Sequence, residues 1–202
     1  MPSVTTSTFS FVSDGISEVR ERSVVGADGI EREVDTIILG TGFHVLDMPI
    51  ADRIADGEGR SLAEHWDGSP RAHRGTMVAG FPNLFFLLGP NTGLGHNSVV
   101  YMAEAQADYV VQALARMRDE DLETLDVTTD AQRRWNEAIQ RRMKGTVWTE
   151  GGCSSWYLDG NGLNTSLWPD FSFRFAGAVR RFDRAEHRGE PAVAPEPAEV
   201  SS

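Results

Sequence analysis

Segment 84–97, LFFLLGPNTGLGHN, joins an apolar run to a glycine-rich loop that leads into a helical pattern. Gly89, Gly93 and Gly95 allow the backbone to approach a ligand closely, because they carry no side chain. A helix that begins at about Asn97 would start with unpaired N–H groups carrying roughly half a positive charge. The loop therefore predicts a site for an anion or an electron-rich ring. The alternative is an ordinary strand–helix turn with Asn97 as the N-cap, since most such turns bind nothing.

Two predicted strands place glycine turns at one edge of a sheet. Residues 84–88 and 35–43 (DTIILGTGF) are apolar runs without alternation, which is typical of parallel strands covered on both faces. Ligands bind at the carboxyl ends of such strands. The helix predicted over 98–117 has a buried stripe at spacings of three and four, formed by Val99, Ala103, Ala107, Val110, Leu114 and Met117. The sequence therefore predicts an α/β fold.

Short β segments and a polar stretch come before this region. The segments are predicted at 9–12, 16–20, 23–25 and 31–34, and Asp28-Gly29 provides a strong hairpin turn. Residues 44–74 are polar and predict a surface insertion with one short helix, at 61–66. Residues 74–81 predict a further strand that leads back to the glycine loop.

The second half of the chain is predicted to be helical at first and then irregular. An acidic connector, 118–126, precedes a helix that starts at Thr129, with Gln132 at capping-box spacing, and stops at Gly145. Its buried face would contain Trp135, Ile139 and Met143. Irregular, aromatic-rich residues follow over 146–169, with a possible edge strand over 171–182. In this division residues 1–8 are a frayed start, 9–125 and 126–183 are the two folded regions, and 184–202 are a disordered Pro/Ala/Glu-rich tail.

Composition limits the classes of function. The chain has 202 residues, a formal net charge of -11 and a mean hydropathy of -0.32, and it lacks a basic patch. These values argue against nucleic-acid binding and against an anionic membrane surface. No apolar run approaches the ~20 residues of a membrane-spanning helix. The single cysteine, Cys153, cannot form an internal disulfide and favours a reducing, cytoplasmic location.

The order of the motifs resembles that of a known enzyme family. The stretch DTIILGTGF, followed by GFPNLFFLLGPNTGLGHNS and later by CSSWY around Trp156, is similar to the carboxyl-terminal part of flavin-dependent monooxygenases of the Baeyer–Villiger and related types. The likeness covers roughly residues 9–182, although Gly40 stands where the family has alanine. The resemblance implies a partial FAD/NAD(P)-binding, glutathione-reductase-like Rossmann-type fold with an irregular aromatic-rich carboxyl-terminal region. It also implies an enzyme that uses FAD, NADPH and O₂ to oxidise a small organic substrate, a ketone, an aldehyde or a soft heteroatom.

The resemblance also implies which residues contact the cofactors. Thr41 and Gly42 would close the turn beside the dinucleotide, and Trp156 would contact the NADP ribose with Asn161 nearby. The remaining predicted FAD-binding residues are Gly89, Pro90, Asn91 and Thr92 beneath the flavin ring, and Asn97, Ser98 and Val99 at its pyrimidine edge. Amide groups aimed there would stabilise negative charge on the flavin.

Some family motifs are absent from this sequence. No G-x-G-x-x-G loop follows a strand, although the family's dinucleotide domains use that loop to bind pyrophosphate. We therefore expect a carboxyl-terminal segment that is inactive alone and that needs a separate amino-terminal half as partner. An N-hydroxylating flavin monooxygenase segment and a non-catalytic binding subunit are the alternatives.

Other reactive side chains have ordinary explanations as well. Cys153 is a possible nucleophile but is better interpreted as a small buried residue. His96 could contact substrate or flavin, or could lie on the surface. Glu104 and Asp108 are one helical turn apart, which is more typical of an exposed face than of a catalytic pair. The histidine spacings predict no metal site, and no catalytic residue is assigned.

Overall fold

Residues 10–40, 46, 48–95, 97–151 and 157–191 are described by the computed structural model, and the chain divides into two units, Met1–Gly42 and Phe43–Ser202. The first unit contains an antiparallel meander of strands in the order β1-β2-β3. The strands are β1 (Ile16–Val19), β2 (Ser23–Gly26) and β3 (Glu31–Glu33). The predicted turn joins β2 to β3, with Gly29 at a φ of 76° and Asp28 Oδ1 accepting from the Ile30 N–H at 3.0 Å. These features confirm the predicted meander, except that residues 10–12 form no strand.

The predicted buried strand over 35–43 is wrong in its described part. Residues 35–40 form no strand, and the side chains of Ile38 and Leu39 are 90% and 79% exposed. A parallel strand is stable only between neighbouring strands and under covering helices, and no described residue pairs with this segment. Residues 41–43 lie outside the described part of the chain.

The second unit begins with a small core of its own. A 3-10 helix, Pro49–Arg53, is followed by α1 (Leu62–Trp66), which confirms the short helix predicted at 61–66. A capping box starts α1: the Ser61 hydroxyl accepts from the Glu64 N–H at 3.1 Å, and the Glu64 carboxylate accepts from the Ser61 N–H at 2.7 Å. The polar composition of 44–74 concealed this core, whose buried members are Ala51, Leu62, Trp66, Ala72, Val78 and Phe81.

The predicted strands over 74–81 and 84–88 are also wrong. Residues 74–76 form a turn closed by a bridge between His73 and Met77, and Met77 makes one further bridge, to Phe85. Leu88 has a φ of 58°, which ends the extended conformation just before the glycine loop. Without adjacent strands, these apolar segments pack on other elements and form no ladder.

The long helix α2 (Val99–Asp119) follows the glycine loop and confirms the helix predicted over 98–117. Its buried face, however, is formed by Met102, Gln106, Tyr109 and Ala113. The predicted stripe was therefore rotated, and two of its members, Val99 and Leu114, are 42% and 50% exposed. Polar groups on Gln106 and Tyr109 find partners inside the protein, so hydrophobicity alone identified the wrong face.

A two-stranded sheet replaces the predicted acidic connector and part of the predicted tail. Strand β4 (Leu122–Val127) pairs antiparallel with β5 (His187–Pro191). The prediction of disorder is therefore wrong for residues 184–191, where a short 3-10 helix leads into β5. The buried residues Leu125, Val127 and His187 explain the pairing, because they join the main core. Residues 192–202 lie outside the described part.

Three further helices complete the main core. Helix α3 (Thr129–Met143) begins at the predicted residue, but its N-cap is Thr128, whose hydroxyl accepts from the Ala131 N–H at 3.2 Å. Ile139 and Met143 are buried as predicted. The short helix α4 (Val147–Glu150) follows. The predicted edge strand over 171–182 is instead α5 (Ser172–Val179), with Ser172, Phe175 and Val179 buried at helical spacing.

The described residues thus form a mixed α/β structure with antiparallel strands. The main core joins α2, α3 and α5 to β4, and Trp168 stacks on Trp135 with ring centroids 5.9 Å apart. Within the described part of the chain, no helix is both long and apolar enough to span a bilayer.

Candidate functional site

The glycine loop is held against the segment 164–168 by backbone hydrogen bonds. The Asn91 N–H donates to Thr165 O at 2.8 Å, and the Gly93 N–H donates to Ser166 O at 2.9 Å. In return, the Trp168 N–H donates to Gly93 O at 2.9 Å. These bonds fix the loop in front of the amino end of α2.

The Asn91 side chain is structural in this arrangement. It is buried, has a φ of 58°, and donates its amide hydrogens to Asn164 O and Leu167 O at 2.8 and 2.9 Å. Asparagine tolerates the left-handed conformation better than most residues. The carboxamide of this predicted FAD-binding residue therefore holds the loop to the segment 164–168.

Glycine is required at this loop by close contacts. A Cβ on Gly89 would overlap the carbonyl oxygen of Gly75 and would lie 3.0 Å from Phe86 Cβ. A Cβ on Gly93 would lie 2.9 Å from Ser166 O, and Gly75 itself has a φ of 64°. The loop and the turn at Gly75 are thus packed backbone to backbone.

Gln106 is a residue of this site that the sequence interpretation missed. Its side chain is completely buried on α2, and its Oε1 accepts from the Leu88 N–H at 2.8 Å. Its Nε2 donates to Gly75 O at 2.8 Å and to Thr76 Oγ1 at 2.9 Å. Gln106 is not a member of the buried stripe predicted for this helix, because no local signal shows that a buried amide has partners 18 to 31 residues away.

A cavity of about 180 Å³ lies between the glycine loop and the start of α2. Four predicted site residues line it: Gly89, Pro90, Thr92 and Val99. The rest of its lining is formed by Leu46, Met48, Pro70, Leu88, Gly93, Thr165 and Ser166. Because this lining carries no charged side chain, the cavity suits a neutral, largely apolar group.

Thr165 brings a hydrogen-bonding group to this lining. The residue is only 4% exposed, and its Oγ1 has no hydrogen-bond partner among the described residues. A buried hydroxyl without a partner costs free energy, on the order of 1–3 kcal/mol, unless a water or a ligand satisfies it. The Thr92 hydroxyl, by contrast, already donates to Gly89 O at 2.6 Å.

The start of α2 is partly engaged by the protein itself. Ser98 is the N-cap, and its N–H donates to Asn97 Oδ1 at 2.7 Å. The Asn97 amide nitrogen in turn donates to Ser172 Oγ at 2.5 Å. Of the three predicted residues, only Val99 lines the cavity. The helix therefore presents its first turn to the cavity, but the Ser98 amide is already bonded.

The other predicted site residues lie elsewhere. Asn161 is exposed, and its side chain donates to Ser69 Oγ at 2.9 Å and to Asp67 O at 3.2 Å. It does not line the cavity. Thr41, Gly42 and Trp156 lie outside the described residues, as do Cys153 and His96.

A second group of buried polar side chains lies around Arg74. Glu186 Oε2 accepts from Arg74 Nη2 at 2.7 Å and lies 3.2 Å from His73 Nε2. The Arg74 guanidinium lies 5.5 Å from the Tyr109 ring centroid and also donates to Ala178 O. This cluster connects the turn at 73–76, α2 and α5 to the residue that precedes β5.

Burial and ion pairing shift the pKa values in this cluster. The hydrogen bond from His73, with that from Arg74, lowers the pKa of Glu186 to about 2. Burial lowers the pKa of His187 to about 4 and also lowers that of His73. Tyr109, whose hydroxyl lies 2.9 Å from His187 Nε2, has its pKa raised by burial. At neutral pH the cluster therefore holds a carboxylate and a guanidinium beside neutral imidazoles.

This cluster shows no metal-binding arrangement. Among the described residues, no group of three or more His, Cys, Asp or Glu side chains is placed to hold a metal ion.

Comparison with known proteins relates the whole chain to one class of enzyme. No family model matches the chain. It is 47% identical over 192 residues to a Baeyer–Villiger monooxygenase of Streptomyces coelicolor, an alignment that covers 95% of this chain and 36% of the relative. It is 46% identical over 188 residues to a Baeyer–Villiger monooxygenase of Pseudomonas aeruginosa, which covers 92% of this chain and 36% of that relative.

Solved structures give the same relationship. An oxidized steroid monooxygenase bound to NADP superposes with a TM-score of 0.67 at 25% identity, covering 89% of this chain and 34% of that one. The closed crystal structure of cyclohexanone monooxygenase has a TM-score of 0.66 at 25% identity, with the same coverage. In sequence and in fold the chain is therefore similar to a part of these monooxygenases. More narrowly, the chain is homologous to Baeyer–Villiger monooxygenases and spans about a third of the length of the relatives it matches.

Proposed function

We propose that the chain forms one side of the flavin site in an FAD- and NADPH-dependent monooxygenase that inserts one oxygen atom from O₂ into a ketone, an aldehyde or a soft heteroatom. The observation that carries this proposal is the cavity at the start of α2, built by the glycine loop of a chain 47% identical to a Baeyer–Villiger monooxygenase. FAD-binding monooxygenases also occur among the relatives, one of them in Aspergillus niger. These names favour this function over that of an N-hydroxylating enzyme.

The residues around the cavity fit a flavin ring. Gly89 and Gly93 contribute only backbone to the lining, and the uncharged lining suits a neutral aromatic system. The unpartnered Thr165 hydroxyl offers one hydrogen bond to a polar edge. When bound, FAD would accept hydride from NADPH and react with O₂, while this chain would bind and orient the ring and exclude water.

The predicted cofactor contacts keep their assignments in this proposal. Pro90, Asn91 and Thr92 would form the floor beneath the ring, and Asn97, Ser98 and Val99 its pyrimidine edge. Thr41 and Gly42 would close the turn beside the dinucleotide, with Trp156 and Asn161 toward NADP. The Asn91 and Asn97 side chains would act by holding the backbone, since both bond to protein atoms.

A Rossmann-type parallel sheet is also part of the proposal. Residues 36–40 are exposed and unpaired, and Leu87 is 55% exposed, although both segments have the composition of buried strands. A polypeptide equivalent to the other two thirds of the relatives would provide the neighbouring strands and the glycine-rich pyrophosphate loop. That polypeptide is the partner required for turnover.

Flavin binding tests this function directly. FAD is added to the purified chain, alone and mixed with a separately produced polypeptide that matches the remaining two thirds of the Streptomyces coelicolor relative. We expect protein that is colourless after desalting when alone, and yellow protein that oxidises NADPH in the mixture. Absence of flavin in both samples would contradict the proposal and would support a non-catalytic binding subunit.

A further inference from the structure

Gln106 joins two segments that are distant in the sequence and that both shape the cavity. Its three hydrogen bonds reach Leu88 in the glycine-loop segment and Gly75 and Thr76 in the preceding turn. The acceptor oxygen and both donors of a buried carboxamide must be satisfied inside the protein, so these bonds fix the orientation of the side chain. Gln106 itself does not line the cavity.

The bond to Leu88 stabilises an unfavourable backbone conformation. Leu88 has a φ of 58°, in the left-handed region, which is unfavourable for a residue with a side chain. Its side chain is 44% exposed, so packing does little to hold it. The carboxamide oxygen of Gln106 is the protein group bonded to its N–H. Because Leu88 and Gly89 both line the cavity, this bond sets the position of one wall.

The hydrogen bonds from Gln106 to the turn at Gly75 and Thr76 also restrain the Leu88–Gly89 wall of the cavity. The carbonyl oxygen of Gly75 accepts from Gln106 and lies so close to Gly89 that a Cβ there would overlap it. A Cβ on Gly75 would likewise overlap Thr92 Cγ2, and Thr92 is a further cavity residue. Close-packed contacts of this kind transmit displacement. If the turn moves, Gly89 and Thr92 must therefore move as well.

We propose that Gln106 is a positioning residue for flavin binding, which clamps the Leu88–Gly89 wall of the cavity to the turn at Gly75. This inference rests on the proposed function and adds to it a residue with no contact to the ligand. Without the carboxamide, Leu88 and Gly89 are no longer held in position. The affinity for flavin therefore falls, although every cavity-lining side chain is retained.

The chain offers a matched control on the same helix. Gln112 also makes three hydrogen bonds: its amide donates to Asp108 O and Arg180 O at 3.1 and 3.0 Å, and its oxygen accepts from the Phe182 N–H at 3.2 Å. None of these partners lies in the glycine loop or lines the cavity. Gln106→Met and Gln112→Met therefore each remove three hydrogen bonds from α2, at two different places.

Two measurements test the proposed role of Gln106. One is the amide hydrogen-exchange rate of Leu88 in the full chain, and the other is the Kd for FAD of the chain mixed with the complementary polypeptide. For Gln106→Met we expect Leu88 exchange to accelerate at least tenfold and the Kd to rise at least tenfold. For Gln112→Met we expect both to stay within about twofold. If Gln106→Met does not fold, Thr76→Val removes one of the three bonds and should raise both quantities severalfold.

Two results would overturn the inference while the proposed function stands. One is an unchanged Kd for FAD in Gln106→Met when the wild-type mixture binds FAD. The other is an equal rise in Kd for Gln106→Met and Gln112→Met, which would show a general loss of stability. A wild-type mixture that binds no FAD would overturn the proposed function itself, and this inference with it.

Discussion

At the scale of single residues, the candidate site is decided by groups without chemical reactivity. Glycines allow two backbone segments to come into contact. Asn91 adopts a left-handed backbone conformation, and its side chain donates hydrogen bonds to the segment 164–168. Gln106 connects the loop to α2 through a hydrogen bond to the Leu88 N–H. Among the described residues that line the cavity, Thr165 has a buried hydroxyl without a hydrogen-bond partner. In the proposed flavin site these groups would position the cofactor, which would perform the chemistry.

The close approach at Gly89 gives a first prediction. Gly89→Ala places a methyl group against the Gly75 carbonyl oxygen, so we expect the free energy of unfolding to fall by about 1–3 kcal/mol. Gly177→Ala is the control, because a Cβ there meets nothing within 4 Å and alanine is favoured inside α5. Urea unfolding of both variants checks this. Wild-type stability in Gly89→Ala would show that the loop can move away from the turn.

At the scale of elements, β5 is held by burial and by the polar cluster around Arg74. His187, the first residue of β5, stacks on Phe182 with ring centroids 4.2 Å apart, and its Nδ1 lies 2.7 Å from Asp183 O. Glu186, just before β5, pairs with Arg74. The strand therefore depends on groups whose protonation changes in acid.

Acid should weaken this attachment. The pKa of His187 is about 4, below its ordinary 6.5, so the unfolded chain binds a proton more readily and stability falls as the pH drops from 6.5 to 4. The pKa of Glu186 is about 2, below its ordinary 4.5, so stability falls further between pH 4.5 and 2. Both pKa values are lowered in the folded chain, so both groups reduce its stability as the pH falls. Because its pKa is lowered from 6.5 to about 4, we expect His187 to account for about 2 kcal/mol of the loss between pH 7 and 5.

Urea unfolding at a series of pH values measures this effect. His187→Phe keeps the stacked ring without a titrating group, so its stability should depend less on pH between 6.5 and 4. Tyr109→Phe is the control: it removes the hydrogen bond to His187 Nε2 but keeps the imidazole, so it should lower stability and retain the slope. Equal slopes in wild type and His187→Phe would show that His187 titrates normally in the folded state.

At the scale of the whole molecule, the described chain exposes apolar surface in several places. Ile38 and Leu39 are largely exposed in the first unit. In the second unit, Val111 on α2 and the stacked pair Phe171 and Phe173 are also more than half exposed. Surfaces of this kind mark sites of interaction or association. They agree with a chain that spans a third of its relatives and, as we propose, works with the remainder.

Charge placed on the exposed segment tests this idea. The double substitution Ile38→Lys and Leu39→Lys should leave the free energy of unfolding within about 0.5 kcal/mol of wild type, because neither side chain is buried. The same change should abolish FAD binding in the mixture with the complementary polypeptide, whereas Thr36→Lys, at an exposed polar neighbour, should retain more of it. Urea unfolding and FAD titration measure the two effects. Full FAD binding by the double variant would contradict the proposed role of this segment.

Local patterns in the sequence were sufficient for part of the result. The turn at Asp28-Gly29, the helix after the glycine loop and the second long helix were all predicted, because turn preferences and helical periodicity depend on residues only a few positions apart. The relationship to flavin monooxygenases was also predicted, since the motifs and their order are written in the sequence. Four of the predicted site residues do line one cavity.

The rest depended on partners far away in the chain. β4 pairs with a strand about 60 residues later, and Gln106 is buried because its amide reaches Leu88 and Gly75. The apolar runs at 35–40 and 84–88 have strand composition but no neighbouring strands among the described residues. The sequence by itself determined the class of protein, the hairpin turn and the two long helices. Only the tertiary structure decided which residues are buried and paired, because burial and strand pairing arise from contacts that no short pattern contains.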